Sequence, residues 1–173
     1  MPYLIGICGS DDSNGPRMAT ALQIAEHVGG LIARHHGILI CGGRGGIMRA
    51  ACKGAKAEGG TTVGILPGSK DEANEYVDIP IPTYLGHVRN AIVVCACDVI
   101  IAIGGRWGTL NEISYAMSTN KPLILIKGTG GCVDAIVEGC IMQHVESTYH
   151  VAHSAEDAIH IAFSLLDKET YKH

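Results

Sequence analysis

Asp98-Val-Ile-Ile-Ala-Ile-Gly-Gly-Arg-Trp-Gly-Thr-Leu-Asn-Glu-Ile-Ser-Tyr-Ala-Met117 is the stretch whose reading decides the fold. Val99 to Ile103 is apolar and mostly β-branched without alternation, the pattern of a strand buried on both faces, as in a parallel sheet covered by helices. Gly104, Gly105 and Gly108 then let the chain turn sharply, and Thr109 is suited to cap a helix starting there. Such a helix start receives anions, because unpaired amides and the positive end of the dipole face the same way. Glu112 follows Thr109 by three residues, which places a carboxylate beside the mouth of the same turn. A carboxylate next to an anion cradle is out of place for anion binding alone. It points to chemistry on a sugar or to anchoring of hydroxyls.

Outward from this stretch, strands and helices alternate. Tyr3 to Cys8, Ile38 to Cys41, Thr61 to Leu66 and Leu123 to Lys127 read as further buried strands, and Val77 to Ile81, with its prolines, as an edge segment. Helical spacing is expected over Met18 to Ala33, from Ile47 to about Ala55, over His87 to Cys97 and from about Val133 to Met142. A weak extended piece near Tyr149 to Val151 and a last helix capped by Ser154 close the chain. The pattern predicts an α/β fold: a Rossmann-like open parallel sheet with helices on both faces, in three αβα layers, as one domain over residues 1–173. In such sheets ligands bind beyond the carboxyl ends of the strands, where the strand order reverses. The turns expected there carry Gly9-Ser10, Gly42-Gly43 followed by Arg44, Gly104-Gly105, and Gly128. Glycine at several such turns predicts close backbone approach. Gly29 and Gly30, inside a helix, are expected to pack closely on the sheet.

Composition narrows the partners. A net charge of -4 with 47% hydrophobic residues gives no electrostatic footprint for nucleic acid or an anionic membrane, and no apolar run approaches the roughly 18 residues of a spanning helix. Met1-Pro2 leads straight into an apolar strand without a basic leader, so a cytoplasmic location is expected. The seven cysteines form no C-x-x-C pair and read as reduced core residues; the nine histidines are scattered, and no metal site is expected.

Gly6-Ile7-Cys8-Gly9-Ser10, Gly42-Gly43-Arg44-Gly45-Gly46-Ile47-Met48, Val63-Gly64-Ile65-Leu66-Pro67-Gly68, Arg89-Asn90 and Gly104 to Glu112 together resemble the LOG family. That family long carried a lysine decarboxylase-like name and has the SLOG group and the DNA-processing protein DprA as wider relatives. The resemblance covers nearly the whole chain in order. The short chain is most similar to the branch that includes molybdenum cofactor carrier proteins. It implies no pyridoxal phosphate and no other cofactor. LOG enzymes hydrolyse the N-glycosidic bond of a nucleoside 5′-monophosphate, giving free base and ribose 5-phosphate. By resemblance Arg89 and Glu112 are the catalytic pair, and Gly105, Gly108 and Thr109 belong to the phosphate loop. This chain departs from the family signature P-G-G-x-G-T-x-x-E at Gly104, which replaces its proline, and at Arg106, which replaces its second glycine.

Two functions follow from the resemblance. One is a phosphoribohydrolase acting on a nucleoside monophosphate. The other is a carrier for a phosphorylated pterin such as the molybdenum cofactor, or a nucleotide sensor, with Trp107 as a ring platform. Trp107 also reads as a packing or interface residue, Arg44 as a phosphate ligand or a solvent-facing turn residue, and His87 as an acid or a capping residue. Tyr115 is expected to pack beside Glu112. The resemblance further implies a homodimer or higher homo-oligomer, for which Ala91 to Cys97 is a suitable apolar segment.

Overall fold

The computed structural model describes residues 1–11, 17–141 and 148–170. Continuous apolar runs form its strands, and parallel pairing sets their order. β1 (Leu4–Gly9) lies between β2 (Ile38–Cys41) and β5 (Val99–Ile103). β3 (Thr61–Leu66) and β4 (Ile79–Pro82) extend the sheet on one side, β6 (Leu123–Ile126) and β7 (His150–Ala152) on the other. The order is β4-β3-β2-β1-β5-β6-β7, with every pairing parallel. β5 is buried at every residue. β4 forms the edge as expected, and Pro80 and Pro82 deny hydrogen-bond donors to a further strand.

Successive side chains of each strand serve opposite faces. Ile5, Ile7, Leu39, Ile101 and Ile103 face a core closed by α1 (Met18–Arg34), α2 (Gly46–Ala57) and α6 (Ala155–Thr170). Cys8, Ile40, Ile100 and Ala102 face a second core under α3 (Arg89–Cys95), α4 (Trp107–Ser118) and α5 (Gly131–Val137). This is the three-layer α/β arrangement that the sequence predicts. No helix among the described residues is long and apolar enough to cross a membrane.

Several boundaries differ for physical reasons. α4 begins at Trp107, with Arg106 in the cap position and no side-chain cap; Thr109 lies inside the first turn. The helix expected from His87 starts as a single 3-10 turn over Gly86–Val88 and becomes α-helical at Arg89. β4 starts two residues later than expected. Asp78 is taken up instead by the Thr62 amide at 2.9 Å and by Lys56 at 2.8 Å. Gly29 meets α2 rather than the sheet: a Cβ there would stand 1.9 Å from the Ala51 carbonyl oxygen. Ser154 caps α6 as expected, its hydroxyl accepting from the Asp157 amide at 3.1 Å. The expected end of the fifth helix, at Met142, lies outside the described residues.

Candidate functional site

The strand order reverses between β1 and β5, where Gly9 stands in register with Ile103. Beyond this point opens a cleft of about 340 Å³. β1 contributes Gly9 and the following Ser10 and Asp11; the turn into α2 contributes Arg44, and α2 itself Met48. His87 comes from the 3-10 turn before α3, Arg89 and Asn90 from the start of α3, and Arg106 to Thr109 with Glu112 from α4 and its cap.

Arg89 and Glu112 form the buried floor. Nη1 of Arg89 donates to Oε1 of Glu112 at 3.3 Å, and the two residues are only 7% and 5% exposed. The guanidinium fits because Gly42 has no side chain: a Cβ there would stand 2.4 Å from Nη2. Nε of Arg89 is buried without a partner. A guanidinium carries five donors, and a buried one with most of them unused calls for an acceptor.

Burial pushes the Glu112 carboxyl up to about 7, against the opposing pull of Arg89 and of a hydrogen bond from the Cys8 thiol. Cys8, buried behind the carboxylate, has its own thiol held well above the usual range, first by burial and then by the charge of Glu112. A carboxyl near 7 exchanges a proton readily at neutral pH.

The turn above this floor is locked from behind. Gly104 donates its amide to Thr129 Oγ1 at 2.8 Å, and the carbonyls of Gly104 and Gly105 accept from Val133 and Cys132 at 3.3 and 2.9 Å. Asp134 fixes the adjoining turn through the amides of Gly128 and Gly130 and pairs with Arg17 at 2.7 Å. Gly105, at φ 89, lies directly over Thr109, whose Oγ1 would be 2.3 Å from a Cβ at that position. The first turn-closing bond of α4 runs from the Leu110 amide to the Arg106 carbonyl at 2.8 Å. The amides of Trp107, Gly108 and Thr109 therefore have no acceptor within the helix. Nothing lies within 4 Å of where a Gly108 Cβ would be, so this helix start is open. Asn90 ties α3 to it, donating to Asn111 Oδ1 at 3.0 Å.

Of the residues singled out in the sequence, Gly9, Ser10, Arg44, Arg89, Arg106, Trp107, Gly108, Thr109 and Glu112 line the cleft together. Gly42, Gly43, Gly104 and Gly105 stand behind the lining and admit other parts of the protein. Gly42 admits Arg89, Gly43 packs at Leu66 and Gly64, Gly104 faces the Thr129 carbonyl, and Gly105 covers Thr109. Trp107 is 84% exposed at the lip and packs in no core. Tyr115 turns from Glu112 toward α3, its hydroxyl 3.6 Å from the Cys95 thiol. Asp11 and Met48 also line the cleft, unforeseen as site residues. Met48 reads as one more apolar residue of an amphipathic helix, and Asp11 as an ordinary loop residue. The Cys8 contact with Glu112 is likewise hidden, since a cysteine in an apolar strand signals only packing.

The sequence profile of the SLOG cluster4 family matches residues 2–160. A cytokinin riboside 5′-monophosphate phosphoribohydrolase of Rhodococcoides fascians is 30% identical, over 88% of this chain and 84% of its own. The molybdenum cofactor binding protein of Rippkaea orientalis superposes with a TM-score of 0.84 at 34% identity, covering 96% of this chain and 98% of that one. The Moco carrier protein of Chlamydomonas reinhardtii gives 0.82 at 35% identity, over 97% and 99%.

Proposed function

The chain belongs to the SLOG cluster4 family, and from that premise we propose that its cleft binds a phosphorylated, nucleotide-like small molecule and hydrolyses the N-glycosidic bond of a nucleoside 5′-monophosphate. The observation that carries the reading is the buried Arg89–Glu112 pair at 3.3 Å on the floor of a cleft whose rim is an open helix start. The 5′-phosphate rests on the amides of Trp107, Gly108 and Thr109, as anions do at uncapped helix starts. Arg89 supplies charge-assisted hydrogen bonds from its unused donors. Glu112 orients the ribose hydroxyls or the attacking water and takes the water proton, a role suited to a carboxyl near 7. The water oxygen bonds to C1′ as the C1′–N bond breaks and its electron pair passes to the base nitrogen; the proton taken by Glu112 returns to that nitrogen through solvent, so that free base and ribose 5-phosphate leave and Glu112 is ionised again.

The test is an assay of purified protein with adenosine 5′-monophosphate, following adenine and ribose 5-phosphate. Glu112→Ala is expected to lower kcat by about 10²-fold or more. Absence of base release from every purine and pyrimidine monophosphate overturns the reading.

A second reading, a carrier for a phosphorylated pterin, is supported by the similarity to molybdenum cofactor proteins along the full chain and by the exposed ring of Trp107 beside the anion site. The same helix start holds the phosphate and Trp107 stacks on the pterin. Protein loaded with the cofactor, washed and oxidised, then yields pterin fluorescence; an empty protein after loading overturns it. In either role the chain works as a homodimer. Val88, Ile92 and Trp107 leave an apolar face on α3 and α4 beside the cleft, with a groove of about 460 Å³ that shares His87, Asn90, Trp107 and Gly108 with it.

A further inference from the structure

We infer that Asp134, which lies outside the cleft, is a positioning residue for the start of α4: its carboxylate fixes the turn 128–131, that turn holds Gly104 and Gly105, and the grip on the ligand's phosphate is set through them. This rests on the reading above, which seats the phosphate on α4.

Asp134 belongs to α5, is only 6% exposed and does not line the cleft. Its Oδ1 accepts from the Gly128 amide at 2.7 Å. Its Oδ2 accepts from the Gly130 amide at 2.9 Å and from Nη1 of Arg17, at the cap of α1, at 2.7 Å. A carboxylate taken out of water is tolerated where donors surround it in this way. Both amides come from one turn, so the two oxygens fix its shape.

That turn meets the loop before α4 backbone to backbone. Thr129 Oγ1 accepts from the Gly104 amide at 2.8 Å and donates to the Ile126 carbonyl at 2.6 Å. The Cys132 and Val133 amides, at the start of α5, are spent on the carbonyls of Gly105 and Gly104. Gly131, at φ 61, leaves no space between the two turns: a Cβ there would stand 2.1 Å from the Gly105 carbonyl oxygen. One at Gly104 would stand 2.9 Å from the Thr129 carbonyl oxygen. No side chain lies between them to change rotamer, so a displacement of one turn passes to the other. Gly105 in turn covers Thr109, in the first turn of α4. The carboxylate thus reaches the helix start through main-chain contacts alone.

Asp134→Asn tests the inference, because an amide of the same shape presents a donor where Gly128, Gly130 or Arg17 now finds an acceptor. Thr129→Val removes the hydroxyl at nearly constant shape. In calorimetric titrations well below the melting temperature, affinity for adenosine 5′-monophosphate is expected to fall about tenfold in both variants, and affinity for inorganic phosphate by the same factor, since the loss lies in the phosphate grip. In the kinetics KM rises while kcat stays within about twofold, as for an interaction made equally in the ground and transition states. Thr129→Ser, which keeps the hydroxyl, is expected to bind as wild type does. A lower melting temperature with unchanged affinities and KM would make Asp134 a residue of stability alone and overturns the inference, as do equal losses in Thr129→Val and Thr129→Ser. Should Asp134→Asn fail to fold, the two Thr129 variants decide. If wild type binds neither probe, the earlier reading falls separately and amide NMR decides this one. Asp134→Asn should then displace the resonances of Gly105, Gly108 and Thr109 while those of β2 and β3 stay in place; unmoved resonances at the start of α4 end it.

Discussion

The two helix layers are finished in different ways. On the α1, α2 and α6 side, helices touch backbone to backbone: a Cβ at Gly54 would stand 1.8 Å from the Glu26 carbonyl oxygen, and one at Gly29 equally close to Ala51. Outside that seam the charges are paired, Lys53 with Glu26 at 2.9 Å and Arg34 with Glu58 at 2.6 Å. On the α3, α4 and α5 side, α3 is only 7 residues long, Val88, Ile92 and Trp107 are exposed, and the buried Arg89 has its Nε without an acceptor. One layer is complete by itself. The other leaves apolar surface and unused donors, which a ligand or a second copy would satisfy. Packing closes one face of the sheet, while most of the cleft lining comes from the other.

The sharpest way to break this contrast is to wedge open the finished layer. Gly54→Val forces a branched side chain against a backbone carbonyl that no rotamer change can move aside. A loss of about 3 kcal/mol or more of unfolding free energy is expected in urea titration. A loss below about 1 kcal/mol would mean that the helices slide apart freely and that the close seam is incidental.

On the unfinished side the largest stability effect should depend on pH. The Glu112 carboxyl is raised from 4.5 to about 7 in the folded protein, so between those values the folded state holds a proton that the unfolded chain has released. Stability from this group is therefore full below the unfolded value and falls as pH rises toward about 7, by an amount on the order of 2 kcal/mol. Glu75 and Glu58 are shifted the other way by their arginine partners, and their contribution is lost only as pH falls below the ordinary carboxylate range. Stability curves of wild type and Glu112→Gln should run together at the acidic end of this window, where Glu112 is protonated and neutral like the amide, and separate toward its alkaline end, the wild type falling below the variant. Parallel curves would show that Glu112 is ionised throughout and that Arg89 outweighs burial.

Val88→Glu tests whether the apolar face is covered by a second copy. Val88 is 71% exposed, so the folded chain should lose less than about 0.5 kcal/mol. Light scattering should nevertheless show the dimer converted to monomer. A wild type already monomeric at high concentration would leave the exposed face without an occupant and weaken the contrast.

How far the sequence makes this arrangement legible depends on the range of the contacts involved. β2, β3 and β5 fall where continuous apolar runs end in glycine or proline, a local signal that nothing distant overrides. The start of α4 is misplaced because a threonine ahead of an apolar run reads as a cap, and only the fold reveals that its hydroxyl is tucked under Gly105. The same holds for the glycines. Read along the chain, Gly42 announces a turn for a ligand; in space it makes room for Arg89, a residue from another element altogether. Gly29 and Gly54 serve each other's helices and carry no mark of it in their surroundings. Residue types at the site are legible from motif and resemblance. Which glycine faces the cleft and which faces the protein is a tertiary fact.

Gly108 separates these two uses most finely, and its effect is the smallest. It is the rim glycine around which a Cβ meets nothing, and its backbone is not left-handed. Alanine there removes unfolded-chain freedom and suits the first turn of α4, so unfolding free energy should rise by about 0.5 kcal/mol. The added methyl nonetheless stands at the open helix start that, on the proposed reading, receives the phosphate. Affinity for adenosine 5′-monophosphate is expected to fall about tenfold while the melting temperature without ligand rises. A stabilised protein that binds less distinguishes a glycine kept for a ligand from one kept for packing, because Gly54→Val loses stability first. If Gly108→Ala binds the nucleotide as tightly as wild type, the phosphate does not rest on α4, and the openness of that helix start serves something other than the anion.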